Sequence, residues 1–319
     1  MAEMTFKPVI FSLILCSLTT SARAGAPAYP DLTAGKSTRP IALVGDLQHT
    51  LLWEKLIGRE SNDRGRVQLV ETLHREAPGL VVLLGDMVSW GGNSAKWREF
   101  DSLMRPFLNE KVPMLPAVGN HDYMGGADKA RLNFQDRFAQ LRLAHWYSRT
   151  YNGLGLIWLD SNHDQLSAED WQKQKTWLQA TLKTLDEDSS VRAVFVFQHH
   201  PPFTNSAVTG DDKFVQADFL PAFQAAHKTL AMITGHTHSY EHFKTGGKDF
   251  IVSGGGGGPR VKLLTGTKRR HEDLYSGAVP RPLHYLLMES QTDGILISVK
   301  GSETPPLIDS FTLKWPTAN

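Results

Sequence analysis

PIALVGDLQHT, residues 40–50, is the stretch whose reading decides the fold. An apolar run, β-branched at Ile41 and Val44, stops at Gly45, and Asp46 follows. A strand buried on both faces reads as a continuous apolar run. Glycine at its end permits a sharp turn. The same pattern returns in LVVLLGD at 80–86, VPMLPAVGN at 112–120, LGLIWLD at 154–160, AVFVFQH at 193–199 and LAMITGH at 230–236. Between these runs, Val67, Val70 and Leu73 recur as on one face of a helix. Trp171, Lys175, Leu178 and Leu182 mark a second helix from about Ala168 to Leu185. Buried strands alternating with helices predict an α/β layered fold. After residue 239 the helices stop, and SYEHF, KDFIVSG, LHYLLMES and GILISVKG are spaced as in an antiparallel sheet. There is no internal repeat and no long linker, so residues 40–319 are expected to form one domain. Residues 25–39, rich in Gly, Pro and Ala, are expected as an exposed lead-in.

Residues 1–24 read as a cleaved secretory signal. Lys7 is followed by an apolar core from Val9 to Leu18 and a small-x-small end at Ala22-Arg23-Ala24. That core is too short to span a bilayer as a helix, so no stable membrane anchor is expected after cleavage. Removing Lys7, Arg23 and Glu3 with the signal turns a formal charge of +1 into zero. Such a balance gives no reason to expect nucleic acid as a partner. The single cysteine, Cys16, leaves with the signal. Any metal must then be held by His, carboxylate and amide groups. Export without disulfides fits a periplasmic or secreted protein.

Five of the predicted strands end alike, with a potential ligand at the C-terminal tip. These tips are Gly45-Asp46, Gly85-Asp86, Gly119-Asn120, Gln198-His199 and Gly235-His236. Ligands bind at the carboxyl ends of strands in α/β sheets. One Gly-Asp is more often a turn. Five such tips, with GHTH and QHHP among them, point to a metal centre.

In order and spacing, GDLQ (45–48), GDMV (85–88), GNHD (119–122), QHHP (198–201) and GHTH (235–238) resemble the five motifs of the calcineurin-like metallophosphoesterases. That family includes purple acid phosphatases and several phosphodiesterases. The resemblance implies a four-layer α-β-β-α sandwich of two facing mixed β-sheets flanked by helices. It also implies two divalent or mixed-valence metal ions (Mn, Fe or Zn) bridged by Asp86. Asp46, Gln48 and His238 would hold one, and Asn120, His199 and His236 the other. A bridging hydroxide would attack phosphorus, and His121 would protonate the leaving oxygen. His200 would touch substrate or support the ligands.

The first motif departs from the family's usual Asp-x-His. In an extended segment residues i and i+2 share a side, so Gln48 would face with Asp46 and His49 would face away. Gln48 is therefore the candidate ligand, or else a hydrogen-bond partner of water on the ion. Ser89 stands where purple acid phosphatases carry a tyrosine, and the partner that orients His121 is left open, with Asp122 adjacent. His74, His145 and His284 read as structural and His242 as a surface residue. Gly254–Gly258 lacks the Gly-Lys-Ser/Thr of a phosphate loop and reads as a tight passage near the metals. Lys268, Arg269 and Arg270 read as a solvated charge run. The expected activity is hydrolysis of a small phosphorylated substrate, with monoesters, diesters and pyrophosphates all open. A binding protein that has lost catalysis is the alternative. A serine hydrolase is disfavoured, since no G-x-S-x-G occurs.

Overall fold

The computed structural model describes residues 25–32, 37–302 and 306–317. The predicted signal at 1–24 lies outside the described residues. Among those described, no helix is long and apolar enough to cross a membrane.

Among the described residues, twelve strands form two six-stranded sheets. They are β1 (Ile41–Val44), β2 (Leu80–Leu84), β3 (Met114–Ala117), β4 (Tyr147–Tyr151), β5 (Leu154–Trp158), β6 (Ala193–Gln198), β7 (Thr229–Thr234), β8 (Tyr240–Thr245), β9 (Lys248–Ser253), β10 (Tyr285–Ser290), β11 (Gly294–Lys300) and β12 (Leu307–Lys314). The first sheet has the order β12-β11-β10-β1-β2-β3 and the second β4-β5-β6-β7-β9-β8. In the first, the parallel strands β1, β2 and β3 form one end and antiparallel β10, β11 and β12 the other; in the second, a parallel centre is flanked by antiparallel β4 and β8. The last strands thus divide between the sheets: β8 and β9 close the second, while β10, β11 and β12 join the first beside β1. They do not form the single antiparallel unit that their spacing suggested. β4 and β12 escaped the sequence reading because neither is a continuous apolar run.

Alternation along the second sheet assigns its two faces. Leu156, Trp158, Phe195 and Phe197 enter one hydrophobic core, shared with the first sheet. Ile157, Leu159, Val194 and Val196 enter another, with Trp171, Leu178 and Leu182 of the helix Ala168–Glu187. That is the layered α-β-β-α arrangement expected. The helix Asp63–Arg75 buries Leu69, Val70 and Leu73, but Val67 stays exposed at the edge of that face. The lead-in is not wholly exposed. Tyr29 is buried, stacked on Phe138 at 4.7 Å, with its hydroxyl donating to Asp101.

Candidate metal centre

The carboxyl ends of β1, β2, β3, β6 and β7 meet at one point, and the loops leaving them carry the site. The backbone is unusual there. Asp46, Asp86, His236 and His238 have φ of 61°, 50°, 72° and 40°. Non-glycine residues in this left-handed region cost energy and cluster at functional sites. The payoff is direction, since each side chain is turned from its strand end toward the same centre.

Two groups of donors converge. Asp46, Asp86 and His238 form one, and His199, His200 and His236 the other, with donor atoms within 4.8 Å of one another in each. The amides complete them. Gln48 Nε2 lies 2.9 Å from His238 Nε2 and 3.1 Å from Asp86 Oδ2. Asn120 Oδ1 lies 3.0 Å from His236 Nδ1 and 3.1 Å from His199 Nε2. Asp86 stands at the junction, its Oδ2 being also 3.4 Å from His199 Nε2. Its Oδ1 accepts the backbone N–H of His121 at 2.8 Å.

The protons of two rings point outward. His199 Nδ1 donates to Leu84 O at 2.8 Å and His238 Nδ1 donates to Pro259 O at 2.9 Å. Each Nε2 therefore turns a lone pair inward, the tautomer that second-shell carbonyls impose on metal-binding histidines. His236 Nδ1 and His199 Nε2 face each other at 3.3 Å. Gln48 Oε1 is buried without a partner. A half-turn of that amide exchanges its oxygen and nitrogen, which have nearly the same shape. The oxygen then lies beside Asp86 and His238. Convergent lone pairs and an orphaned amide oxygen suit a cation better than they suit one another, so the residues fit two ions.

The electrostatics agree. Burial opposes charge on Asp86, but the imidazoles of His199 and His121 outweigh it and hold the carboxyl below its ordinary range. Burial likewise opposes charge on His199, yet Asp86 pushes it up to about 9. Burial and the neighbouring His200 and His199 hold His236 well below its ordinary value. Burial, then His199, lowers His200 to about 3. Protons thus gather where negative charge collects, and a cation would replace them.

His121 sits at the rim. Its Nδ1 donates to the backbone carbonyl of Ser89 at 3.1 Å, and its Nε2 is 4.0 Å from Asp86 Oδ2. The orienting partner that sequence left open is thus a main-chain oxygen, which no side-chain motif could announce. Asp122 is not that partner. It accepts from Val88 N and Gly119 N, and burial together with the Asp86 charge raises its carboxyl to about 8. His200 pairs its Nδ1 with Ser161 Oγ at 2.9 Å, and its ring lies 4.4 Å from that of His236. Ser161 was not singled out as its support. His49 faces away from the cluster into Asp63, at 2.6 Å, and Arg66.

The glycine run packs on the ligands. Gly258 N donates to Asp46 O, and a Cβ on Gly258 would lie 2.5 Å from His238 Cε1. His242 is not a surface residue. It is buried, bonded to Asp249 at 2.8 Å and stacked on Phe311. Arg270 is exposed but not free, since it bonds the carbonyls of Thr204, Ser206 and Thr209.

A family model described as calcineurin-like phosphoesterase matches residues 39–240. None of the curated proteins compared matches the chain. Solved structures similar to it include GAP50, the anchor in the inner membrane complex of Plasmodium, at 16% identity and TM-score 0.66, covering 87% of this chain and 89% of that one. A purple acid phosphatase from yellow lupin (Lupinus luteus) seeds is similar at 18% identity and TM-score 0.69, over 90% of this chain and 55% of that one. A dimetal phosphatase from Danio rerio is similar at 16% identity and TM-score 0.59, over 87% of this chain and 99% of that one. At these identities the likeness is one of fold.

Proposed function

The chain belongs to the calcineurin-like phosphoesterase family, whose members are metal-dependent phosphoric ester hydrolases, and from that premise we propose that it hydrolyses small phosphate esters at a dinuclear centre. The supporting observation is the convergence of seven donors, with the Nδ1 protons of His199 and His238 turned outward onto backbone carbonyls. Asp46, Gln48 and His238 would hold one ion and Asn120, His199 and His236 the other, with Asp86 between the two groups. Divalent or mixed-valence ions of the Mn, Fe or Zn type suit this mix of oxygen and nitrogen donors. When bound, they supply Lewis acidity and a nucleophile at neutral pH.

The chain's own residues do the rest. Ser89 O holds the Nδ1–H of His121, so the proton to be given up is one carried on Nε2, the ring atom that faces the site. As the water oxygen bonds to phosphorus and the phosphorus–oxygen ester bond breaks, that proton passes to the departing oxygen. The products are an alcohol and phosphate, or a phosphomonoester from a diester. His200, held neutral by burial with Nδ1 on Ser161, turns Nε2 to a phosphate oxygen. Export to the periplasm or beyond belongs to the same reading and rests on residues 1–24.

Fold alone would also admit a binding protein. The complete set of donors together with His121 favours hydrolysis. A substrate panel with Mn, Fe and Zn tests it: p-nitrophenyl phosphate, its bis ester, ADP-ribose and nucleotides. Turnover that needs added metal and stops with chelator is expected. Metal-loaded protein inert toward all of them would leave only the binding role.

A further inference from the structure

Trp90 follows Ser89, whose carbonyl oxygen takes the Nδ1 proton of His121. The two segments are tied twice more. Gly91 N donates to His121 O at 2.9 Å and Gly92 N to Met124 O at 2.7 Å. From behind, Gly91 O accepts Trp97 Nε1 at 2.7 Å and Asn133 Nδ2 at 2.8 Å. The backbone of Trp90 is thus fixed relative to His121. Its indole lies across Gly125, which has φ of 87° and no side chain to spare, since a Cβ there would come within 2.1 Å of Nε1. Gly125 lies just past the short helix Asn120–Tyr123 that carries His121. The indole therefore rests on the same pair of segments that carry the proton donor.

Met87, Val88 and Ser89 before it are buried, but Trp90 is 43% exposed. Leaving an indole half in water forgoes apolar burial worth having. Packing therefore does not account for a tryptophan held rigidly there. A ligand face would. With His121 as the proton donor, the departing oxygen lies beside it, and the group attached to that oxygen would extend past His121. Trp90 offers a flat apolar surface on those same segments.

Building on the phosphoesterase reading above, we propose that Trp90 is a specificity-determining platform on which an aromatic ring of the leaving group stacks. The preferred substrates are then phosphate esters whose alcohol carries a nucleobase or an aryl ring. Stacking one base on an aromatic side chain is worth about tenfold or more in binding. Because the contact is made in ground and transition states alike, the change falls on KM and spares kcat.

The test uses the metal-loaded full chain and two matched pairs: AMP against ribose 5-phosphate, and phenyl phosphate against cyclohexyl phosphate. Trp90→Ala is expected to raise KM about tenfold for the ring-bearing esters, with kcat within about twofold, and to leave the ringless ones unchanged. Trp90→Phe restores most of the loss. Trp90→Leu, which keeps apolar bulk without a ring, stands in should the alanine variant not fold. Loss confined to AMP, or to phenyl phosphate, identifies which kind of ring is read. Calorimetry with the phosphonate analogue of AMP checks the same contact without turnover. Equal losses within each pair, or none, overturn the platform while leaving the phosphoesterase reading intact. Wild type that hydrolyses none of the four overturns the platform, and overturns the phosphoesterase reading too if the bis ester and ADP-ribose are equally inert.

Discussion

The Nδ1 of His121 lies 3.1 Å from the backbone oxygen of Ser89, a carbonyl rather than a carboxylate. A carbonyl fixes the tautomer without adding negative charge, so it orients the ring but does little to stabilise an imidazolium. His121→Ala is expected to keep both metals and lose about 10²–10⁴-fold in rate. The loss should be greater for alkyl than for nitrophenyl esters, because a general acid matters most when the leaving oxygen is basic. Equal losses for the two would remove His121 as the donor. The Ser89 side chain is not needed for this, its Oγ being buried without a partner, so Ser89→Ala is expected to act within about twofold of wild type.

Asp86 touches both groups of donors through one oxygen while its other oxygen holds the His121 backbone. Asp86→Asn retains the shape but removes the charge that two cations share. Metal analysis should find less than two ions per chain, and turnover should vanish. Two ions and a near-normal rate in this variant would defeat the dinuclear reading.

Glu241 permits a prediction about stability. It is buried, and its carboxylate accepts from Thr204 Oγ1 at 2.7 Å and Asn205 N at 2.6 Å. Burial outweighs these bonds and raises its pKa from 4.5 to about 7. A raised value means that the folded state holds the proton more tightly than the unfolded one. The contribution to stability is therefore complete below about pH 4.5 and is lost as pH rises through about 7. The span is worth roughly 3 kcal/mol. Urea unfolding of the chelator-treated protein at pH 5 and pH 8 is the measurement. Glu241→Gln should match wild type at pH 5 and exceed it at pH 8. Parallel behaviour at both values would mean that the carboxyl stays charged throughout.

Much of the centre was legible because its residue types are costly elsewhere. Asp46, Asp86, Asn120, His199 and His236 each end an apolar run, where a turn needs no imidazole. What escaped was held by main chain or by distant partners. Nothing in the type of Ser89, Leu84 or Pro259 announces a carbonyl aimed at a histidine. His242 looked exposed because its partners, Asp249 and Phe311, lie on other strands. β12 pairs only with β11 at the sheet edge, and its half-exposed residues leave little pattern to read.

Gln48 and His49 pose the sharpest test, because an extended segment is not what separates them. Asp46 has φ of 61°, so strict alternation along a strand fails just where it was invoked. The side chains diverge all the same. Gln48 reaches Asp86 and His238, whereas His49 bonds Asp63 and Arg66. Gln48→His should therefore place an imidazole beside His238 and raise affinity for the first ion, since imidazole is a better donor than an amide oxygen. His49→Ala should leave metal binding unchanged and lower stability by about 1 kcal/mol through its lost hydrogen bonds. Activity is a poor guide for Gln48→His, because a misfitting second shell can slow the reaction while binding tightens. Metal titration of both variants gives the answer. Weakened binding in His49→Ala with no gain in Gln48→His would mean that the loop after β1 turns the other way when metal is bound.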